Sequence, residues 1–240
     1  MPPYTIHTSR TIMYKELSDL IAQRLFFDNQ ILESNPIYKA TRSNLQKTIR
    51  HLSKLYSFDS DDELWQIFVY LFKKANDSEK RLLTIIYALF NDELLSASIP
   101  LILETKLGTR IPTHSIQKIL QGIYPDKYTQ ITLSSSARNI ASSWKQAGFI
   151  QGKVKNIRVH VHPGYLSVLF AMYLGYQTGL RDKELFTSKW GKLLEMPESK
   201  IRESLSIAAL NEFIDYRYAG GVTVLNFDKL NQLAGNELKS

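Results

Sequence analysis

The sequence predicts a mainly α-helical protein, with an N-terminal helical bundle followed by winged-helix domains that carry small β-hairpins. Apolar residues recur at three- and four-residue spacing through the first half, and the 240-residue chain has only 11 Gly and 8 Pro. In the second half, the order helix, Gly, strand, turn, strand is typical of a winged helix, and a comparable order recurs at the end. We therefore expect a bundle over residues 1–125, a winged helix over 126–180 and a second winged-helix-like domain over 181–240.

The first helices follow from the apolar spacing. A helix with apolar residues from Leu17 to Leu25 is expected to end before the break at Pro36. Thr41 or Ser43 can cap the next helix, because a hydroxyl oxygen accepts a hydrogen bond from a free N–H of the first turn. The apolar stripe of that helix consists of Leu45, Ile49, Leu52 and Leu55.

Sequence patterns that mark the beginning of helices predict the rest of the bundle. Residues 60–63 have the capping-box pattern, and residues 76–79 give a similar signal before a second apolar run. A helix over 92–106 contains Pro100, which is expected to kink or divide it. One more short helix is expected over 115–122. Because these helices are apolar over much of their circumference, we expect them to pack on one another.

The centre of the chain predicts the first winged helix. A helix over 137–147 is expected to end at Gly148 in a left-handed cap, and a hairpin with its turn at Gly152-Lys153 follows. The three serines at 134–136 precede this helix, where small hydroxyls and free N–H groups suit phosphate contacts. In a winged helix, the helix enters the major groove and the basic hairpin follows the phosphate backbone.

The last sixty residues predict a second helix–hairpin arrangement. Pro197 is expected in the first turn of a helix, and Gly220-Gly221 is expected to join two strands. This helix carries Glu198 and Glu203 beside its basic residues, so we expect it to pack or to bind a protein. Its apolar stripe consists of Ile201, Leu205, Ala208 and Leu210.

The charge distribution indicates an anionic partner. The chain has 30 Lys and Arg against 23 Asp and Glu, a formal charge of +7. Two windows, 34–58 and 127–181, contain no acidic residue at all, although both contain several basic ones. Such a basic window can be a solvated face without a partner, but two of them, one on a winged-helix pattern, favour nucleic acid.

Particular side chains are candidates for contacts with double-stranded DNA. We expect Arg138 and Lys145 to contact DNA from the helix, and Lys153, Lys155 and Arg158 to contact it from the wing. The basic helix in the first window is expected to make phosphate contacts alone, if its face is coplanar with the wing. The full set of candidate DNA-binding residues is Arg42, Lys47, Arg50, Lys54, Ser134, Ser135, Ser136, Arg138, Asn139, Lys145, Lys153, Lys155 and Arg158.

Other kinds of site find little support in the residues. The chain has no Cys, and the pair His160 and His162 has no carboxylate nearby in sequence to complete a metal site. A nucleophile-elbow motif and a phosphate-binding glycine loop are both missing. We therefore predict no catalytic residue, no metal and no cofactor. The uncharged run 163–180 is expected to be a buried helix, and without a leader segment the protein is expected in the cytoplasm, with no membrane partner.

The run 41–52, followed by Asp62-Glu63-Leu64-Trp65, resembles the BrxA family of the BREX phage-defence systems, as does the later run 132–150. The similarity covers roughly residues 31–161. The resemblance implies a non-enzymatic cytoplasmic accessory protein that binds duplex DNA, with a helical N-terminal part and a C-terminal winged helix. Residues 181–240 extend past that family core, which leaves open a relative from another defence locus.

Two other functions remain open on the sequence alone. An assembly or adaptor protein would dock its terminal hairpin onto a larger subunit of a defence complex. A winged-helix transcription regulator would need a dimer that pairs two recognition helices.

Overall fold

A computed structural model describes residues 5–23, 31–58, 61–152 and 154–239. It is mainly helical with two small antiparallel two-stranded sheets, which confirms the predicted class at that level. The helices are α1 (Tyr14–Ala22), α2 (Ile31–Ser34), α3 (Arg42–Tyr56), α4 (Glu63–Lys74), α5 (Asp77–Asn91), α6 (Glu93–Ser96), α7 (Ile99–Glu104), α8 (Thr113–Ile123), α9 (Gln130–Gln146), α10 (Tyr165–Gln177), α11 (Asp182–Thr187), α12 (Lys189–Leu193), α13 (Glu198–Leu210) and α14 (Asp228–Lys239). The strands are β1 (Ile150–Gln151), β2 (Ile157–Arg158), β3 (Asp215–Ala219) and β4 (Val222–Asn226).

The chain forms two compact units, each built from two segments. Unit 1 consists of Met1–Asp62 and Tyr87–Val159, and unit 2 of Glu63–Ile86 and His160–Ser240. These units do not coincide with the predicted boundaries after residues 125 and 180. The reason is the packing of α4, which contacts α10 and α14 of the second half of the chain and so belongs with them in unit 2.

Helix α3 of unit 1 begins and packs as its sequence predicts. The Thr41 hydroxyl accepts a hydrogen bond from the Asn44 N–H at 3.2 Å, so Thr41 is the cap. Three of the four predicted stripe residues are buried, and Ile49 is half-buried. The predicted capping residue Ser60 of the next helix lies outside the described residues, as does Leu25 of the first predicted helix.

The segment around Pro100 is divided into two short helices. Helix α6 ends at Ser96 and α7 begins at Ile99, with Pro100 in its first turn, where a missing N–H costs little. Ser98 at the break accepts a hydrogen bond from the buried Trp144 indole N–H at 2.8 Å. The predicted division is therefore confirmed.

The hairpin of unit 1 is a part of a three-stranded arrangement. Strands β1 and β2 pair with Ile150 opposite Arg158, and Arg110 forms an antiparallel bridge to Ile157. The Gly108 N–H donates to the Arg158 carbonyl at 2.9 Å, and the Ile111 N–H donates to the Asn156 carbonyl at 2.7 Å. The chain order is thus helix α7, extended 108–111, α8, α9, β1 and β2. Residues 152–156 connect the strands, so the loop is longer than the predicted Gly-Lys turn.

Helix α9 begins earlier than predicted. Thr129 caps it by accepting a hydrogen bond from the Thr132 N–H at 3.2 Å, so residues 134–136 lie inside the helix. Ser135 and Ser136 are accommodated there because both hydroxyls donate to the Thr132 carbonyl. The expected serine-lined helix N-terminus is therefore wrong. The end of the helix is confirmed, since Gly148 follows it with a φ of 90°.

Unit 2 is organised around the buried helix α10, as predicted for the uncharged run. Residues Leu166 to Gly175 are all buried, and Phe170 lies 5.8 Å from Phe68 of α4 between ring centroids. Among the described residues, no single helix is long and apolar enough to cross a membrane. The pair Asp77–Asn91 and Glu93–Glu104 passes that test jointly, by length and composition only, but is bent by 109°.

Helix α13 and the hairpin that follows it largely match their prediction. Three stripe residues of α13 are buried, but Leu210 is 83% exposed because the helix ends there, so this assignment is wrong. Strands β3 and β4 pair with Ala219 opposite Val222. Gly220 and Gly221 form the two-residue turn with φ values of 58° and 84°, the conformation that glycine adopts most readily.

Candidate nucleic-acid interface

Helix α9 presents one solvent-facing stripe, in which Ile131 and Arg138 are exposed and Ser134 and Lys145 are half-buried. Ile131, Ser134, Arg138 and Lys145 share this stripe because they recur at helical spacing, and Ile131 is 83% exposed. At 1.5 Å per residue, the stripe is about 21 Å long. An Arg138 Nη1 donates to the Ser134 hydroxyl at 3.0 Å, so these two polar groups act together. Three predicted contacts, Ser134, Arg138 and Lys145, are thus brought onto one face.

The neighbouring flank of α9 is covered by residues 5–13, called here the N-terminal segment. The Asn139 amide donates to the His7 carbonyl at 2.9 Å, and the Ser135 hydroxyl lies 3.4 Å from the Thr8 carbonyl. The Ile12 N–H donates to Ser143 at 3.1 Å. This flank therefore belongs to the interior of unit 1.

Three predicted DNA contacts fall outside the exposed stripe for this reason. Ser136 is only 1% exposed, so its assignment is wrong. Ser135 and Asn139 are half-buried, and their side chains are hydrogen bonded within unit 1. These hydrogen bonds hold the N-terminal segment against α9, so Ser135 and Asn139 lie on the covered flank, and their contact with DNA stays a prediction.

Arg158 is a structural residue of the hairpin. Its side chain is fully buried, its Nε donates to the Ile102 carbonyl at 2.8 Å, and its Nη1 donates to the Phe149 carbonyl at 3.2 Å and to the Val159 carbonyl. Its guanidinium carbon lies 5.2 Å from the centroid of the Phe149 ring. The expected phosphate contact from Arg158 is therefore wrong, because the side chain points into the packed face of the hairpin.

The connection between β1 and β2 carries the exposed end of the hairpin. Val154 is 86% exposed and Lys155 is exposed beside it. Gly152 has a φ of 100°, and a Cβ there would collide with the Lys155 carbonyl, so this tight loop requires glycine. Lys153, predicted as a wing contact, lies outside the described residues.

The excess positive charge is concentrated in unit 1. Unit 1 contains 17 Lys and Arg against 11 Asp and Glu, whereas unit 2 contains 13 against 12. Exposed cations that the sequence prediction missed also lie on and around α8. They lie outside the two windows used in the prediction, because Asp126 separates residues 105–125 from the window 127–181. These cations are Lys106, Arg110 and Lys118.

Helix α3 presents a second basic stripe in unit 1. Lys47, Arg50 and Lys54 are exposed at helical spacing on one face, and Arg42 is exposed in the first turn. These positions agree with the predicted orientation of the helix. Because the N-terminal segment contacts α9 and also reaches α3, the same segment joins the two helices that carry the stripes.

Ser143, His7 and Asp92 form a row of close contacts in the interior of unit 1. Ser143 Oγ is 2.9 Å from His7 Nε2, and His7 Nδ1 is 2.8 Å from Asp92 Oδ2. This is the spacing of a nucleophile, a base and an acid, but none of the three is more than 1% exposed. Ser143 also donates to the Asn139 carbonyl, so its hydroxyl is used in packing. The row anchors the N-terminal segment.

Asp92 is the centre of that anchor. Its carboxylate accepts hydrogen bonds from the Ile6 N–H at 2.7 Å and from the Leu95 N–H at 3.0 Å. Burial raises the pKa of the Asp92 carboxyl, but His7 and these two N–H groups lower it more, so the net pKa lies below its ordinary value. The contact with His7 is a close electrostatic pair rather than an aligned hydrogen bond.

Fold and charge together define a mainly helical protein of two units, of which the first exposes a basic helix and an adjoining hairpin loop. A comparison with protein-family models, with curated proteins and with solved structures finds no match. The surface on α9 and the loop 152–156 is therefore the basis for the functional proposal.

Proposed function

We propose that this chain is a cytoplasmic, non-enzymatic accessory protein of a bacterial anti-phage defence system that binds duplex DNA through unit 1. The observation that supports DNA binding best is the solvent-facing stripe of α9, in which Arg138 is exposed and Ser134 and Lys145 are half-buried, followed by a hairpin loop that carries the exposed Lys155. The defence role rests on the resemblance of residues 31–161 to the BrxA family.

The order of elements supports a winged helix with wider limits than the sequence predicts. Helix α7, the extended residues 108–111, α8, α9 and the β1–β2 hairpin follow one another in the order of that fold. In this arrangement, α9 is the recognition helix. Arg138 is then suited to a guanine edge, and Ile131 to a thymine methyl group.

Phosphate contacts should supply most of the affinity. Lys145 and Lys155 in the first surface, together with the exposed cations of α3, provide about six such contacts. Each contact releases counterions, so the logarithm of the binding constant should fall with the logarithm of salt concentration with a slope of about −5. The slope measures how many cations reach the DNA.

A salt-titrated binding assay with duplex, single-stranded DNA and RNA tests the proposal. Replacing Arg138 and Lys145 by Ala should weaken duplex binding about tenfold or more and reduce the magnitude of the slope by about one, because Lys145 is the phosphate contact of the pair. The matched control replaces exposed Lys183 and Lys192 of unit 2 by Ala, which removes the same charge and should change affinity less than about twofold. Salt-independent binding, or an equal loss in the control, would contradict the proposal.

An adaptor function is a second candidate, favoured by the exposed apolar side chains of unit 2. Val222 and Val224 are 59% and 57% exposed on one face of the hairpin. The opposite face packs on Arg202, which donates to Thr223 at 3.0 Å. A nearly neutral unit with exposed valines is suited to a protein partner.

Point substitutions separate the adaptor function from DNA binding better than truncation does. Deleting residues 181–240 would remove α13 and α14, which pack on α10 and α4, and would expose the core of unit 2. Replacing Val222 and Val224 by Ser should abolish binding to a defence-complex subunit and leave duplex affinity unchanged.

A transcription regulator would instead bind a palindromic DNA site as a dimer, and the stoichiometry of the protein–DNA complex would report this.

A further inference from the structure

Arg10 and His51 lie together on the flank of α3, beside its basic stripe. The N-terminal segment turns at this point, since the N–H groups of Ser9 and Arg10 both donate to the Ile6 carbonyl at 2.9 Å. Arg10 Nη2 then reaches the side chain of Asn44, 3.5 Å from its Oδ1. His51 lies two helical turns beyond Asn44 on the same flank. Both Arg10 and His51 are half-buried and accessible from solvent.

Two nitrogen atoms of this pair have no hydrogen-bond partner within the part of the chain that the structure describes. They are Arg10 Nε and His51 Nδ1, and both are shielded from solvent. A shielded polar atom without a partner costs free energy, and in native proteins it usually has a specific explanation. A small rotation of either half-buried side chain would offer its free nitrogen to an incoming acceptor.

The charges around His51 all have the same sign. Burial lowers the pKa of His51, and Arg10 from the N-terminal segment and Arg50 and Lys54 from its own helix lower it further. The sequence around this helix, residues 34–58, has no acidic residue. The cluster therefore combines concentrated positive charge with an Arg10 N–H that has no acceptor and a His51 nitrogen that is a donor when the ring is protonated.

We propose that Arg10, His51 and Arg50 form a binding site for a phosphate group, and that the phosphate is one from the backbone of bound duplex DNA. This inference rests on the proposed function, and it adds two residues that lie outside the basic stripe of α3. A phosphodiester oxygen supplies both the negative charge and the acceptors that the cluster lacks.

The site makes DNA binding depend on pH. In the free protein the neighbouring cations disfavour a charged His51 at neutral pH. A bound phosphate favours the charged imidazole, so the complex takes up a proton and binding tightens as the pH falls. If the phosphate raises the pKa of His51 by about one unit, affinity should rise up to about tenfold between pH 7.5 and pH 5.5.

Duplex affinity at constant ionic strength across this pH range tests the site. We expect His51→Gln to abolish most of the pH dependence, and the matched change His114→Gln on α8 of the same unit to preserve it. Arg10→Gln should weaken binding about fivefold at pH 6. Wild-type binding that is independent of pH, or a pH dependence that is lost in His114→Gln and kept in His51→Gln, would overturn the inference while leaving the proposed function intact.

A second measurement tests the site without DNA and without reliance on the variants. The pKa of His51, followed through its ring NMR signals, should rise when inorganic phosphate is added and rise further with duplex. The ring of His114 serves as the internal control. An unchanged His51 pKa with both ligands overturns the site. A rise with phosphate, combined with no duplex binding by the protein, would retain the site and reject the proposed function.

Discussion

His7 Nδ1 lies 2.8 Å from Asp92 Oδ2, and both side chains are completely shielded from solvent. This pair joins the N-terminal segment to the start of α6, while Ser143 joins it to α9. The surface that we propose to contact DNA is therefore positioned by groups that lie beneath it. Anchoring of this kind predicts stability effects that can be separated from binding effects.

Replacing Asp92 by Asn should destabilise unit 1 by about 3 kcal/mol, because it leaves His7 without its charged partner inside the protein. Denaturant unfolding monitored by tryptophan fluorescence measures the change. The exposed Asp126 allows the same substitution at a site where little change is expected. Equal stability of the two variants would show that the buried pair contributes nothing.

Asp92 should also contribute to acid sensitivity. A carboxyl whose pKa is lowered in the folded state gives its full stabilisation above its ordinary pKa of 3.8, and loses it as the pH falls through the lowered value. The free energy of unfolding should therefore fall below about pH 4 in the wild type, and less steeply in Asp92→Asn. Identical slopes for both proteins would exclude Asp92 as a source of the sensitivity.

Arg158 should affect stability and leave DNA affinity unchanged. Its hydrogen bonds to the carbonyl groups of Ile102, Phe149 and Val159 are lost in Arg158→Met, and we expect a destabilisation of about 2–4 kcal/mol. Duplex affinity, corrected for the folded fraction, should match the wild type. A loss of affinity in fully folded Arg158→Met would return this residue to the interface.

Lys155 should show the opposite pattern. Its side chain is exposed in the loop 152–156, so Lys155→Glu should leave stability within about 0.5 kcal/mol of the wild type. It should weaken duplex binding about equally for all sequences and reduce the salt slope by about one. Weakening confined to one DNA sequence would instead indicate a base contact.

Local features of this fold could be predicted from the sequence because their causes are local. Thr41 caps the nearest N–H groups, Pro100 restricts its own turn, and Gly220-Gly221 adopts a conformation that few other residues tolerate. The buried helix α10 was equally evident, since burial of an uncharged run requires no knowledge of its partners.

The errors have a common physical origin in distant contacts. Ser and Arg are residue types that are common on protein surfaces. The packing of α9 nevertheless buries Ser136, and Arg158 is buried where it donates a hydrogen bond to the carbonyl of Ile102 in α7. The N-terminal segment covers one flank of α9 from more than 120 residues away in sequence. The spacing of polar residues in the sequence shows that one face of a helix is polar, but it does not show whether another segment of the chain covers that face.

The interleaving of the two units has a consequence during synthesis on the ribosome. Helix α4, with Trp65 and Phe68 in its buried surface, is made almost a hundred residues before α10 and more than 150 before α14. Its apolar side chains must therefore remain without their final partners while all of the second segment of unit 1 is translated. Such a delay exposes the nascent chain to aggregation, and chaperone dependence should be concentrated in this helix.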